Sequence, residues 1–184
     1  KWKVGVRPTA KVIGFSGRIG REKDVPTLYR AFSLVRKSHP DVVLLLVGAG
    51  IETKLYERDP GVMLVGPRDD VPRWLQAMDM FVLPSLTETS SLATMEAMAC
   101  GLPVVVTPVG SIREYVVDGV NGLVFPRKDV SALAEKLGML LDDKSLGVRL
   151  GRAARRTVLE RHRWDIVAEQ ASAHIKSVMS LQVG

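Results

Sequence analysis

The chain has 184 residues, 46% hydrophobic and 25% charged, with a mean hydropathy of +0.11, which excludes wholesale disorder and fits one domain with a substantial core. Its net charge of +6 biases it toward anionic partners, while its longest apolar run, residues 42–47, is far short of the ~20 residues of a membrane span. The lone cysteine, Cys100, excludes an internal disulfide framework and a cysteine-based zinc cage; at the end of an apolar helical pattern it reads as a buried small residue.

Residues 1–7 alternate basic and apolar side chains and lack the apolar segment of a signal peptide. A cytoplasmic protein is expected, with peripheral contact at a membrane left open. The first predicted strand is 12–16. Asp24 then opens a helix over 24–38, with Val25, Leu28, Ala31, Phe32 and Val35 at helical spacing and His39-Pro40 as its stop. Strands over 42–48 and 62–66 enclose a helix over 52–58. A helix over 70–78 precedes a strand over 80–84, and a helix over 91–100 is closed by Gly101 and Pro103. A strand over 104–107, a helix over 111–117 and a strand over 122–125 follow. Helices over 129–142, 145–160 and 164–180 end the chain.

Several of these strands are almost continuously hydrophobic, as parallel strands covered on both faces must be. Alternation with amphipathic helices predicts an α/β fold: a doubly wound, Rossmann-like parallel six-stranded sheet with extra C-terminal helices. No repeat or low-complexity linker interrupts it, so residues 1–184 read as one domain. The closing helices have no strand to cover and are expected to pack on the flank of the domain or on a second domain.

In an open parallel sheet, ligands bind at the carboxyl ends of the strands, near the point where strand order reverses. Three segments fall at such ends. The first is FSGRIGREKD, residues 15–24. Gly17 lets the backbone turn after strand one, and Arg18 and Lys23 flank the loop into the helix. Arginine offers a planar fork for two phosphate oxygens and lysine a compact charge, so the loop suits a diphosphate. A solvated basic loop that includes Arg21 is the plainer alternative.

The second segment is ETSSLATMEAMACGLPVV, residues 88–105. Glu88 precedes the helix start, the hydroxyls of Thr89, Ser90 and Ser91 are good caps, and free amides there suit an anion. Glu96 follows Glu88 by a distance of ~12 Å along a helix, which approaches the separation of the two sugars in a nucleoside diphosphate sugar. Capping by Glu88 and a surface ion pair for Glu96 is the competing explanation. The third segment is VGPRDDVPRWL, residues 65–75, where Gly66, Pro67 and Arg68 form a turn beside the same crevice, placed to line a base.

Other patterns point away from other chemistries. Val47-Gly48-Ala49-Gly50-Ile51-Glu52 begins like a dinucleotide fingerprint, but Thr53 stands where the third glycine belongs, and the run follows strand two rather than strand one. His39, His162 and His174 are scattered without metal-ligand spacing. No serine sits in a nucleophile elbow.

The set GRxxxxK at 17–23, the glutamate pair E-x7-E at 88–96 and the following AMACGLPVV resemble retaining glycosyltransferase family 4. The similarity runs from Lys11 to Met179 and includes RWDIVAEQ at 163–170. It implies the GT-B fold, two Rossmann-like halves of which this chain is the carboxyl-terminal, donor-binding half. The N-terminal acceptor domain is absent from the chain, and isolated turnover is not expected. The family implies a hexosyl group transferred from a nucleoside diphosphate sugar, with no metal or other cofactor and no nucleic acid. Arg18 and Lys23 would bind the donor diphosphate and stabilise the leaving charge, with Gly17 in the turn before them. Glu88 would contact the transferred sugar and Glu96 the ribose. The amides of Ser90, Ser91 and Leu92 would lie against the phosphates, and Gly66, Pro67 and Arg68 would line the base. Where the family commonly carries glycine-aromatic-glycine, this chain has Thr89-Ser90-Ser91, so hydroxyls stand beside the transferred sugar.

Two other readings stay open on the residues: a sugar-nucleotide epimerase, which can share the GT-B architecture, and a non-catalytic α/β interaction module. One further feature stands apart. RLGRAARRTVLERHR, residues 149–163, carries six arginines against one glutamate. It is either a solvated helix face or a surface for anionic lipid or an acidic partner.

Overall fold

The computed structural model describes residues 5, 7–51 and 53–181. Most of the 1–7 segment and Glu52 lie outside them. Six parallel strands form one sheet in the order β3-β2-β1-β4-β5-β6: β1 Val12–Ser16, β2 Val43–Val47, β3 Val62–Leu64, β4 Met80–Leu83, β5 Val104–Val106 and β6 Leu123–Val124. Chain order reverses between β1 and β4, which pair through Ile13 with Met80 and Gly14 with Phe81. That junction is the topological switch point of a doubly wound sheet, where side chains from two neighbouring loops meet. The strands β1, β4 and β5 are buried throughout, which explains their almost continuously apolar sequence.

Among the described residues seven α-helices accompany the sheet: α1 Val25–Val35, α2 Val71–Leu75, α3 Leu92–Ala99, α4 Ile112–Tyr115, α5 Val130–Asp142, α6 Lys144–Arg161 and α7 Trp164–Leu181. The predicted helix over 52–58 is instead a 3-10 turn, Thr53–Leu55. The Thr53 hydroxyl accepts the Gly50 amide at 3.0 Å and donates to the Gly50 carbonyl at 2.6 Å, a local bond that competes with helix formation. The predicted helices 70–78 and 111–117 shrink to α2 and α4, and the strand 62–66 ends at Leu64 before Gly66 adopts φ +69°.

The closing helices divide. α6 packs on α3, α5 and β5, burying Leu150, Ala154 and Val158, and Gly151 lies so close to the Gly101 carbonyl that a Cβ there would stand 2.1 Å from it. It is part of the domain's flank. α7 leaves its apolar residues in solvent: Trp164 is 80% exposed and Met179 63%. No described helix is long and apolar enough to cross a membrane.

Candidate functional site

The loop after β1 is held down on the loop after β2. The Gly17 amide donates to the Val47 carbonyl at 2.9 Å and the Ile19 amide to the Ala49 carbonyl at 3.0 Å. This contact is why Gly48 and Gly50 are glycines: a Cβ at Gly48 would meet the Gly17 carbonyl oxygen at 1.9 Å and one at Gly50 the Ile19 carbonyl oxygen at 1.8 Å. The run that imitates a dinucleotide fingerprint thus shapes the GRIG loop by close backbone approach. Gly48 also donates to the Gly66 carbonyl at 2.8 Å, which brings the third segment alongside.

Arg18 emerges from this platform. It lines a cavity of about 340 Å³ with Gly17, Gly48, Pro67, Arg68 and Val71. Here the structure brings together the first and third predicted segments. The Arg68 guanidinium lies 5.0 Å over the ring of Trp74, and the Trp74 indole donates to Asp70 at 2.9 Å. Sequence reasoning missed Trp74 because its role depends on this fold-back. Arg18 itself is three-quarters exposed and sits 2.7 Å from Glu22, off-axis for a hydrogen bond, since that Glu22 oxygen finds no well-angled donor. Glu22 is held below the usual carboxylate range, chiefly by its own backbone amide, with the charge of Arg18 adding to it.

Lys23, on a 3-10 turn Arg21–Lys23, reaches the other way, across the switch point. Its Nζ pairs with Glu88 Oε1 in the loop after β4. The pair is largely shielded, with side-chain exposures of 20% for Lys23 and 8% for Glu88. The Ser85 hydroxyl donates to the same Glu88 oxygen at 2.7 Å. Backbone bonds reinforce the bridge: the Leu86 amide donates to the Glu22 carbonyl at 2.8 Å, and the Thr107 hydroxyl to the Ser85 carbonyl at 2.6 Å. Gly110, at φ +53°, presses on the far side, where a Cβ would stand 2.0 Å from the Glu88 carbonyl oxygen. Ser85, Thr107 and Gly110 were not singled out from the sequence. The glycine of PVGS, just past strand five, was the available signal.

α3 begins beside this pair. Ser91 is its N-cap, 4% exposed, with its hydroxyl accepting from the Thr94 amide at 3.2 Å. The Leu92 and Ala93 amides are thereby left without intrahelical acceptors. The Ser91 carbonyl accepts the buried Tyr115 hydroxyl at 3.4 Å, whose pKa burial pushes up to about 12, so it stays a neutral donor. The Thr-Ser-Ser run is therefore not uniform. Ser91 serves the helix, the Thr89 carbonyl takes the Ser111 amide at 3.1 Å, and Thr89 and Ser90 are exposed. Glu96, a turn and a half along α3, is exposed, and among the described residues no cation pairs with it. The expected alternative of a surface ion pair finds no partner. Its carboxyl is nonetheless pushed up by desolvation.

Cys100 is half-buried rather than fully enclosed, and burial pushes its thiol up, away from the reactive thiolate. Among the described residues no group of three or more His, Cys, Asp or Glu is placed to hold a metal. A cavity of about 720 Å³ lies along α6 rather than at the strand ends. The crevice is the better site because it concentrates paired charges, free amides and glycine-shaped backbone at the switch point.

Known proteins share this fold. A model of the family described as Glycosyl transferases group 1 matches residues 10–143. A D-inositol 3-phosphate glycosyltransferase of Corynebacterium urealyticum is 31% identical over 183 residues, which cover 91% of this chain and 43% of that protein. The sucrose-phosphate synthase of Thermosynechococcus elongatus superposes with a TM-score of 0.88 at 26% identity, over 98% of this chain and 48% of its own. HepE of Anabaena, solved in complex with UDP-glucose, superposes with a TM-score of 0.82 at 25% identity, over 96% of this chain and 51% of its own. The chain thus spans about half the length of these relatives. With its six-stranded sheet, it belongs to the group 1 glycosyltransferases of GT-B fold.

Proposed function

We propose that this domain binds the nucleoside diphosphate sugar of a retaining hexosyltransferase and forms the donor half of a larger enzyme, whose acceptor-binding half lies outside this chain. The observation that carries it is the Lys23–Glu88 pair, which spans the switch point beside the free Leu92 and Ala93 amides. HepE, with UDP-glucose bound, has the same fold over nearly all of this chain.

In this reading the diphosphate lies between Arg18, Lys23 and the start of α3. As the bond from the sugar C1 to the diphosphate oxygen breaks, negative charge grows on the departing diphosphate, and the oxygen of an acceptor hydroxyl bonds to C1 while its proton passes to a departing diphosphate oxygen. Fixed cations and amides aimed at that charge are the largest source of rate. Glu88, held by Ser85 and Lys23, contacts the sugar, and unpaired Glu96 takes the ribose hydroxyls. Gly17 keeps backbone from crowding the phosphates, while Gly66, Pro67 and Arg68 line the base. Ser90, Ser91 and Leu92 offer backbone to the phosphates, which leaves the side chains of Thr89 and Ser90 to face the sugar. Arg18, Lys23 and the α3 amides supply the positive charge, so the donor is held without a metal or other cofactor. The group transferred is a sugar, and no nucleic acid enters the reaction.

Thermal unfolding with UDP, GDP and ADP tests this. Nucleotide at one hundred times its dissociation constant adds about 2.7 kcal/mol, a rise of roughly 5–10 °C for a domain of this size. EDTA leaves the rise unchanged, and Arg18→Ala removes it. No rise with any of the three at millimolar concentration would sink the donor reading.

A further inference from the structure

α6 carries a surface that the donor site does not use. Its inner face is buried by Leu150, Ala154 and Val158. On the outer face Lys144, Val148, Arg152, Arg156 and Leu159 succeed one another at intervals of three or four residues, so they form one stripe. Arg149 and Arg155 flank it and are tied back to the domain, donating to the Gly119 and Ala99 carbonyls, each at 3.0 Å. Arg152 and Arg156 are exposed and have no carboxylate partner among the described residues. Between the cations lie Val148 and Leu159, each 44% exposed. The groove of about 720 Å³ runs here, walled by lysine and arginine stems with Val148 and Ala153.

We propose that this stripe is a docking surface for an anionic lipid bilayer. Three observations select the partner. The charge along the stripe is positive from Lys144 to Arg156, with Glu160 the single carboxylate of the helix, at its far end, and this excess of cations fits phosphate headgroups. Hydrocarbon lies under and between the charged heads, which fits the acyl layer below those headgroups; a nucleic-acid backbone offers phosphate with nothing for Val148 and Leu159 to enter. Trp164, 80% exposed, follows Arg161 and Arg163 immediately, and an amphipathic ring beside basic residues suits headgroup depth. No aromatic side chain sits within the stripe to stack a base.

Co-sedimentation of the 184-residue chain with phosphatidylcholine vesicles, with and without phosphatidylglycerol, tests the inference. The chain binds only the anionic vesicles, and binding falls as salt is raised. Arg152→Ala with Arg156→Ala weakens it about 30-fold, roughly fivefold per arginine, with the melting temperature unchanged. Arg152→Lys with Arg156→Lys keeps binding within a few-fold. Inorganic phosphate at equal phosphate concentration does not compete. Equal binding to neutral vesicles overturns the proposal. So does wild-type binding by the double alanine variant, or binding to duplex RNA without binding to vesicles.

Discussion

The loop after β1 carries two cation–glutamate pairs of opposite character. Lys23–Glu88 joins two loops across the switch point, is nearly enclosed and shares its acceptor oxygen with Ser85. Arg18–Glu22 is a contact within one loop, with an arginine that is 75% exposed. Enclosed charges in low dielectric depend on their partners, whereas exposed pairs contribute little and exchange readily with solvent or ligand. The same motif therefore supplies a fixed strut and a movable arm, and the movable arm is the one free to turn onto an incoming phosphate.

The contrast breaks most visibly in stability. Lys23→Met leaves the shielded Glu88 carboxylate without its cation and is expected to cost about 2–3 kcal/mol, less than a fully buried break because Ser85 still donates. Arg18→Ala is expected to cost under about 0.5 kcal/mol. Urea unfolding midpoints of the two variants measure the difference directly. A double-mutant cycle with Glu88→Gln should return a coupling of about 1 kcal/mol or more for Lys23. Equal losses for Lys23→Met and Arg18→Ala would erase the distinction between strut and arm.

The next effect concerns what holds the strut in place. Gly110→Ala puts a Cβ against the Glu88 carbonyl oxygen at a residue with φ +53°. Strain and steric displacement together should cost about 2 kcal/mol. Because the Glu88 backbone must move, the nucleotide-dependent rise in melting temperature should shrink in the same variant. Gly119→Ala is the control: its φ is +71°, yet nothing lies within 4 Å of its Cβ. It should lose stability from strain alone and keep its nucleotide response.

Much of this was legible in the amino-acid sequence. The strands β1, β4 and β5 announce themselves because burial on both faces demands an almost continuously apolar run. Arg18, Lys23, Glu88 and Glu96 each had a plainer explanation from charge and spacing alone, and it was the combined motif resemblance that singled them out. The short helices were overestimated, since local apolar spacing says nothing of a competing bond such as that between Thr53 and Gly50. Ser85, Thr107 and Gly110 stayed invisible for a different reason. Their roles arise from contacts between loops brought together only by the β1–β4–β5 order, and Thr107 and Ser85 are 22 residues apart. The basic run 149–163 was visible as six arginines, but not which of them the domain itself occupies.

The smallest effect separates Glu88 from Glu96. Glu88 is shielded with a cation beside it, while Glu96 is desolvated without one, and its carboxyl is raised above the ordinary 4.5. A carboxyl raised in the folded state binds its proton more tightly there than in the unfolded chain. Its contribution to stability is therefore greatest at low pH, where both states hold the proton, and declines as pH rises from the ordinary value through the folded one. Glu96→Gln removes that decline. The variant should match the parent near pH 4 and melt slightly higher than it at pH 7, in scans without ligand. With UDP present the order at pH 7 should reverse, because the ribose hydroxyls lose the acceptor that Glu96 keeps unpaired for them. A variant that melts below the parent at pH 7 without ligand would show that Glu96 has a stabilising partner, and its place in the donor site would fall with that finding.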